Sequence, residues 1–505
     1  MLPAAPRTVS ARNHLLQGRA TPRLAFSRRV RYVQPQTCIS TDFPNMSYDL
    51  IVIGGGPAGY VGAIRAAQLG KKVACVENDR AGGTCLNWGC IPTKALLKNA
   101  ELYHTITHRA DEFGLKIEGI SYDWSKVIGR SRKVSDKLCG GIEFLFKKNK
   151  VDYIRGTGDI PAAGKVEVTD KEGKKTTYDT QKILVATGAK ARPMPGLPFN
   201  GKTVIGSHEA LILAEQPKEI LIVGAGAIGI EFAYFFNAYG TKVTVVEMQP
   251  RILPVEDEEV SAALEKSLKK AGIRILTNTK VVESKDHGDK VTLKVEGAAA
   301  ETLEAPVCLV AIGVVPVLPG GVELKKSEKG GWLETDAKYE TSVKGVYGAG
   351  DIIGPPWLAH VASYEAVHAV EGIFKPGHKP KKVTTFPGCT YCQPQVASIG
   401  LTEAQAKAKG VKYKVGKFPY QVSGKALAIA ETEGFVKILY GEPHGEIIGA
   451  HIIGAEATEL IAELSLAVTL EATAEEIEAT IHAHPTLAEM LKEATEVAEG
   501  HPIHI

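Results

Sequence analysis

The 505-residue chain predicts an α/β fold built from two nested copies of one Rossmann-like unit. Two observations predict it. An apolar strand over residues 50–53 runs into the turn Gly54-Gly55-Gly56-Pro57-Ala58-Gly59, a helix of small residues over 60–69, and a strand over 72–76 that ends in Glu77. The same order returns as a strand over 220–223, the turn Gly224-Ala225-Gly226-Ala227-Ile228-Gly229, a helix reaching Tyr239, and a strand over 242–246 ending in Glu247. The acid stands at one offset from the first glycine in both. A lone glycine fingerprint is weak evidence; two in this context with a common offset are strong.

Each residue of the fingerprint has a physical reason. Gly54 and Gly224 make the tight turn, Gly56 and Gly226 let a phosphate approach the backbone, and Gly59 and Gly229 let helix and strand pack closely. Glu77 and Glu247 would each hold a ribose, and a carboxylate at 247 repels a 2′-phosphate, so the second site is expected to take NAD rather than NADP. Each unit is expected to close with a related strand, Ile183-Leu184-Val185-Ala186-Thr187-Gly188 in the first and Cys308-Leu309-Val310-Ala311-Ile312-Gly313 in the second. The longer span in the first unit implies a helical insertion over 94–148.

Composition bounds the function. A chain this long, 44% hydrophobic, exceeds what one core usually holds, so several domains are expected. The net charge of +3 and the absence of a basic block in the body argue against nucleic acid as a partner. No run of about 18 uninterrupted apolar residues occurs, so no membrane partner is expected. Eight scattered cysteines fit a reducing compartment better than a secreted disulfide scaffold. Residues 1–45 carry seven Arg and no acid before Asp42. That pattern is similar to a mitochondrial transit peptide, and equally to an over-extended start ahead of Met46. The expected location is cytoplasmic, or the mitochondrial matrix if residues 1–45 are a transit peptide.

Cys85 and Cys90, in Thr84-Cys85-Leu86-Asn87-Trp88-Gly89-Cys90-Ile91-Pro92-Thr93-Lys94, carry the strongest chemical signal. Pro92 is placed to open a helix, and a sulfur at a helix N-terminus is a stabilised thiolate and a good leaving group. An inert bridge or two buried free thiols is the plain alternative for an arbitrary pair. Glu231, alone in an apolar helix after a glycine turn, asks for a charged partner, and Lys94 is a plausible one. Cys389 and Cys392 lack further ligands for zinc, so no metal site is expected and two buried thiols are the reading. Pro485 with Thr486 and Glu489 reads first as a helix cap, and a histidine beside it as structural.

Taken together, the thiol run, the doubled fingerprint, Gly348-Ala349-Gly350-Asp351 and His482-Ala483-His484-Pro485-Thr486-Leu487-Ala488-Glu489 resemble the flavin disulfide reductases, and within them the dihydrolipoamide dehydrogenases, over residues 47–495. The resemblance implies a FAD-binding domain over 47–192, an NAD-binding domain over 193–316, a central domain over 317–385 that completes the FAD site, and a C-terminal α+β dimerisation domain over 386–505, with residues 1–46 an upstream leader. FAD would be held by Gly54, Gly56, Gly59, Glu77, Lys94, Gly158, Thr187, Gly188 and Asp351. NAD would be held by Gly224, Gly226, Gly229, Glu247 and Gly313, and the Lys94–Glu231 pair would lie beside the flavin. His484, oriented by Glu489, would be the base that takes a proton from dihydrolipoamide and would reach the disulfide of the other subunit of a homodimer. Cys85 would face substrate and Cys90 the flavin. The implied partners are the lipoyl domains of 2-oxo acid dehydrogenase complexes or the glycine cleavage system. Two features depart from the family: the Cys389-Thr390-Tyr391-Cys392 segment, where a His-Pro-Glu stretch is common, and Trp88, bulkier than the aliphatic residue expected in the redox loop. The chain also ends without the cysteine pair of mercuric reductase-like enzymes.

Overall fold

The computed structural model describes residues 47–505. The expectations about residues 1–46 lie outside the described residues. In the first unit the strands Asp152–Arg155, Val73–Glu77, Tyr48–Ile53 and Lys175–Val185 lie side by side in that order. They are parallel where they meet, and the first strand is buried nearly throughout. That burial on both faces is why residues 50–53 read as a continuous apolar run rather than an alternating one. The other half of the long strand Lys175–Val185 turns antiparallel against Lys165–Thr169, which pairs in turn with Thr157–Ala162.

The second unit repeats the plan. Its parallel sheet runs Arg274–Leu276, Lys242–Val246, Glu219–Val223, Val307–Val310, Val204–Ile205, and its antiparallel meander is Thr279–Asp286, Val291–Gly297, Glu301–Ala305.

The nesting is closer than the sequence suggested, because each parallel sheet borrows its last strand from across the chain. Val346–Gly348, beyond the second unit, pairs with Lys175–Val185. Val204–Ile205, ahead of the second unit's first strand, pairs with Val307–Val310. The two crossings between units, Ala189–Ala191 and Val314–Pro316, pair with each other as a short antiparallel ribbon. Neither borrowed strand is long enough to carry a periodic signal.

The insertion is two helices, Cys90–His108 and Trp124–Lys148, rather than one continuous helical stretch. The second is capped by Asp123, which accepts from the Lys126 amide at 3.2 Å. The first begins at Cys90, two residues ahead of Pro92, with Gly89 as its cap residue. Pro92 therefore sits in the first turn, where its missing N–H is not needed.

Residues beyond 386 form a five-stranded antiparallel sheet ordered Gly388–Thr390, Gln395–Gly400, Ile447–Gly454, Phe435–Gly441, Tyr413–Pro419. The helices Ala457–Thr469, Ala474–Ala479 and Glu489–Glu499 contribute to its core. Lys437, fully buried in this sheet, pairs with Asp257 at 3.0 Å and Glu259 at 2.8 Å from the second unit and with Glu403 at 2.6 Å. A lysine is tolerated there because three carboxylates surround it. Among the described residues no helix is long and apolar enough to cross a membrane.

Candidate active site

The two glycine turns are superimposable in their constraints. Gly54 and Gly224 have φ of 104° and 102°, in the region that favours glycine. A Cβ on Gly59 would lie 1.7 Å from the Gly54 carbonyl oxygen, and one on Gly229 would lie 2.0 Å from that of Gly224. The middle glycines differ in kind: a Cβ on Gly226 meets nothing within 4 Å and one on Gly56 meets only Gly83 Cα at 3.8 Å. These two face open space in front of a helix N-terminus, the place where a pyrophosphate is held by backbone N–H groups.

The acids repeat as well. Glu77 accepts from the Gly55 amide at 2.7 Å with one oxygen and from the Asp79 amide at 2.8 Å with the other. Glu247 accepts from the Ala225 amide at 2.7 Å and the Gln249 amide at 2.8 Å. Each carboxylate oxygen keeps a lone pair for a ribose hydroxyl while bracing the glycine turn. Burial raises the Glu77 carboxyl above its ordinary value, opposed by those same amides.

Thr187, Gly188 and Asp351 follow the carboxyl ends of the first unit's parallel strands, and Gly158 packs against Ile53 at the end of another. Gly158 is on Thr157–Ala162, where a Cβ would press on Ile53 at 3.0 Å. Thr187 donates to the Val317 carbonyl, and Gly188 follows with φ of 69°. Gly313 holds the matching place in the second unit, with φ of 100°. Asp351 opens a short 3₁₀ turn just after the borrowed strand, and burial pushes its carboxyl up to about 6. An acid so placed, with glycines opening space beside it, suits a polyhydroxylated ligand chain that would hydrogen-bond to it. The residues present therefore fit a dinucleotide at each cradle.

Between the cradles lie the thiols. Cys85 is in the short helix Gly83–Trp88, Gly89 breaks the helix, and Cys90 begins the next one. The structure describes the pair in its reduced, dithiol form, and the two sulfurs are unequal. Donation to Cys90, with burial added, pushes the Cys85 thiol far above an ordinary thiol. Accepting that bond holds the Cys90 sulfur below the ordinary value in spite of burial, with Lys94 assisting and Glu231 opposing. Cys90 is therefore the better leaving group of the pair.

Lys94 Nζ meets Glu231 at 2.8 and 2.9 Å. Glu231 also accepts from the Tyr391 amide at 3.0 Å, and the Tyr391 ring lies 4.3 Å from the Lys94 ammonium. Tyr391 was not singled out from the sequence, because its segment was read for its two thiols. Those thiols differ from expectation. Cys392 is fully buried and donates to the Pro394 carbonyl at 3.3 Å, whereas Cys389 is half-buried and pushed up to about 11 by burial. Glu365 was missed too. Its carboxylate accepts from the Gly350 amide at 2.9 Å, bracing the turn that presents Asp351, and burial pushes it up to about 7. The helix Ala359–Phe374 carries a second acid, Glu371, which pairs with Arg65, so the lone-acid signal that marked Glu231 did not mark Glu365.

His484 Nδ1 lies 2.9 Å from Glu489 Oε1, while Glu489 Oε2 accepts from the Thr486 amide at 2.8 Å. Burial opposes it, but the Thr486 amide and the His484 ring hold the Glu489 carboxyl below its ordinary value. Only half of the capping box forms: Glu489 takes the Thr486 amide, but Thr486 Oγ1 donates to the Ala483 carbonyl and the helix starts at Glu489 with Ala488 as cap residue. His482 is fixed between Glu463 at 2.8 Å and the Thr480 carbonyl, whereas His484 is 78% exposed. Within the single chain, among the described residues, His484 makes no hydrogen bond to Cys85 or Cys90. Exposed apolar residues cluster in the same part of the chain, with Ile481 at 96% and Leu470 at 69% exposure.

Two dinucleotide cradles flanking an asymmetric dithiol define a flavin- and pyridine nucleotide-dependent disulfide oxidoreductase. The chain belongs to the pyridine nucleotide-disulphide oxidoreductase family, whose model matches residues 48–366, and residues 386–495 match that family's dimerisation domain. It is 43% identical over 466 residues to dihydrolipoyl dehydrogenase of Zymomonas mobilis, covering 90% of this chain and 99% of the relative. It is 41% identical over 468 residues to mitochondrial dihydrolipoyl dehydrogenase of Pisum sativum, covering 90% and 92%. The crystal structure of LpdA from Mycobacterium tuberculosis matches with a TM-score of 0.82 at 27% identity, covering 89% of this chain and 99% of that one.

Proposed function

We infer that the chain is a dihydrolipoyl dehydrogenase: it oxidises dihydrolipoamide through Cys85 and Cys90 and passes the electrons to NAD+. The observation that carries this reading is the placement of the two thiols, Cys85 in a short helix and Cys90 opening the next one, beside the Lys94–Glu231 pair and between two dinucleotide cradles. FAD, when bound, supplies the two-electron carrier that stands between the thiol pair and NAD+.

The chain's own residues set the direction of each thiol step. With His484 Nδ1 engaged by Glu489, Nε2 is the nitrogen left to take a proton from a substrate thiol. The substrate thiolate attacks Sγ of Cys85, and the Cys85–Cys90 bond breaks with its electron pair on Cys90. Cys90 is the better leaving group because it lies at the helix N-terminus with Lys94 one turn further on. The second substrate thiolate then attacks the sulfur joined to Cys85, closing the substrate disulfide and returning Cys85 as a thiol. Glu231 holds the Lys94 ammonium in place, and the Tyr391 amide holds Glu231.

We assign the FAD cradle to residues 47–192 with 317–385, the NAD cradle to 193–316 and the dimer interface to 386–505. The exposure of His484 supports its reaching the thiols of a second subunit, so that a site is complete only in the homodimer. The substrate dithiol would be carried by lipoyl domains of a 2-oxo acid dehydrogenase complex or the glycine cleavage system. A reducing compartment, cytoplasm or mitochondrial matrix, suits a thiol pair that must cycle. Purified dimer is expected to reduce NAD+ with dihydrolipoamide, and Cys90→Ser to abolish that turnover. Persistence of turnover in Cys90→Ser would exclude the thiols as the relay.

A further inference from the structure

The redox helix Gly83–Trp88 has 6 residues and no side-chain N-cap. A helix this short does not hold its own shape. Its last residue, one position before the Gly89 break, is Trp88. Three separate parts of the molecule meet that side chain. The indole N–H donates to Asp79 Oδ2 at 2.6 Å. The Arg132 guanidinium lies 4.9 Å from the ring, and the His208 imidazole lies 4.0 Å from it, tilted by 43°.

Each contact leads somewhere. Asp79 is in the turn whose amide binds Glu77, so the Trp88 anchor and the ribose acid share one loop. Arg132, on the insertion helix Trp124–Lys148, also donates to the Asn87 carbonyl at 2.7 Å and so grips the redox helix twice. His208 belongs to the short helix Ser207–Ala210, just beyond Val204–Ile205, the strand the second unit borrows. An aliphatic side chain at 88 could make neither the Asp79 bond nor the ring contacts.

We propose that Trp88 is a positioning residue for the redox pair, locking the Cys85-bearing helix to the FAD cradle, the insertion and the NAD-side segment at once. The pair must alternate between a bonded separation of about 2.05 Å and an opened dithiol, and a helix clamped at its last residue returns Cys85 to the same place on each cycle. The inference rests on the thiol relay described above.

The test compares Trp88→Val, Trp88→Phe and His208→Ala holoenzymes in two reactions. One is dihydrolipoamide with NAD+, which uses the thiols. The other is NADH with ferricyanide, an acceptor that takes electrons from reduced flavin without them. The long-wavelength thiolate-to-flavin absorbance of the reduced enzyme is the third readout. Trp88→Val, which loses the Asp79 bond and the ring contacts to Arg132 and His208, is expected to lose roughly tenfold in lipoamide turnover and to weaken the absorbance band. Its ferricyanide reaction is expected to stay within about twofold of the parent. Trp88→Phe, which keeps a ring for Arg132 and His208, is expected to recover most of the loss, and His208→Ala to show a smaller version of it. Unchanged lipoamide turnover and band in Trp88→Val would overturn the proposal, as would an equal fall in both reactions. A parent enzyme lacking the band would instead overturn the relay reading itself.

Discussion

Replacing Glu489 by Gln removes a charge without changing the side chain's size, and the structure fixes what must break. Glu489 serves two donors, the His484 Nδ1–H and the Thr486 amide. A glutamine has one acceptor oxygen and an NH2 group that cannot accept, so one of the two bonds is lost. A hydrogen bond to a charged group is worth about 1.5–3 kcal/mol. His484 is mostly exposed, which screens the charge and moves the expectation to the lower half of that range. The lost stabilisation of the imidazolium formed on proton transfer then corresponds to roughly a 10- to 45-fold fall in kcat for dihydrolipoamide with NAD+. The ferricyanide reaction needs no base and is expected to be unchanged. Glu489→Gln with full lipoamide turnover, or with both reactions reduced alike, would refute the orienting role.

Gly59→Ala and Gly229→Ala insert a methyl group where a backbone oxygen already lies within 2.0 Å. At about 1–3 kcal/mol for such overpacking, the first is expected to lose flavin absorbance on purification, and the second to keep its flavin while the KM for NAD+ rises roughly 5- to 150-fold. Flavin loss in Gly229→Ala would reverse the assignment of the cradles. The Asp351 carboxyl is raised to about 6 by burial, so in the flavin-free protein it contributes stability below pH ~4 that is lost as the pH rises through about 6. Flavin-free Asp351→Asn is therefore expected to be more stable than the parent at pH 7 by up to about 3 kcal/mol and to bind FAD more weakly, as read by thermal unfolding with and without FAD.

The duplicated fold was legible because glycines at fixed spacing have only one steric purpose, and the clashes at Gly59 and Gly229 restate it in ångströms. The Lys94–Glu231 pair was legible because a lone acid in an apolar helix has to be neutralised. Glu365 escaped that argument because Glu371 shares its helix. The borrowed strands were not legible: Val204–Ile205 and Val346–Gly348 are too short for periodicity, and their pairing depends on a partner distant in the chain. The Thr486–Glu489 box was legible only in half: the carboxylate takes the Thr486 amide with one oxygen and His484 with the other, while the Thr486 hydroxyl turns to the Ala483 carbonyl and the helix starts at Glu489. Trp88 stood out only as bulk, since none of Asp79, Arg132 and His208 is marked by sequence as its neighbour.

The inequality of Cys85 and Cys90 is the centre of the account, and anaerobic titration of the FAD-loaded enzyme with dihydrolipoamide tests it most directly. Reduction by one equivalent is expected to raise a long-wavelength absorbance from the Cys90 thiolate against oxidised flavin, and Cys90→Ser to abolish it. Bleaching of the flavin with no such band in the parent enzyme, or a band that survives in Cys90→Ser, would contradict the assignment of the two sulfurs.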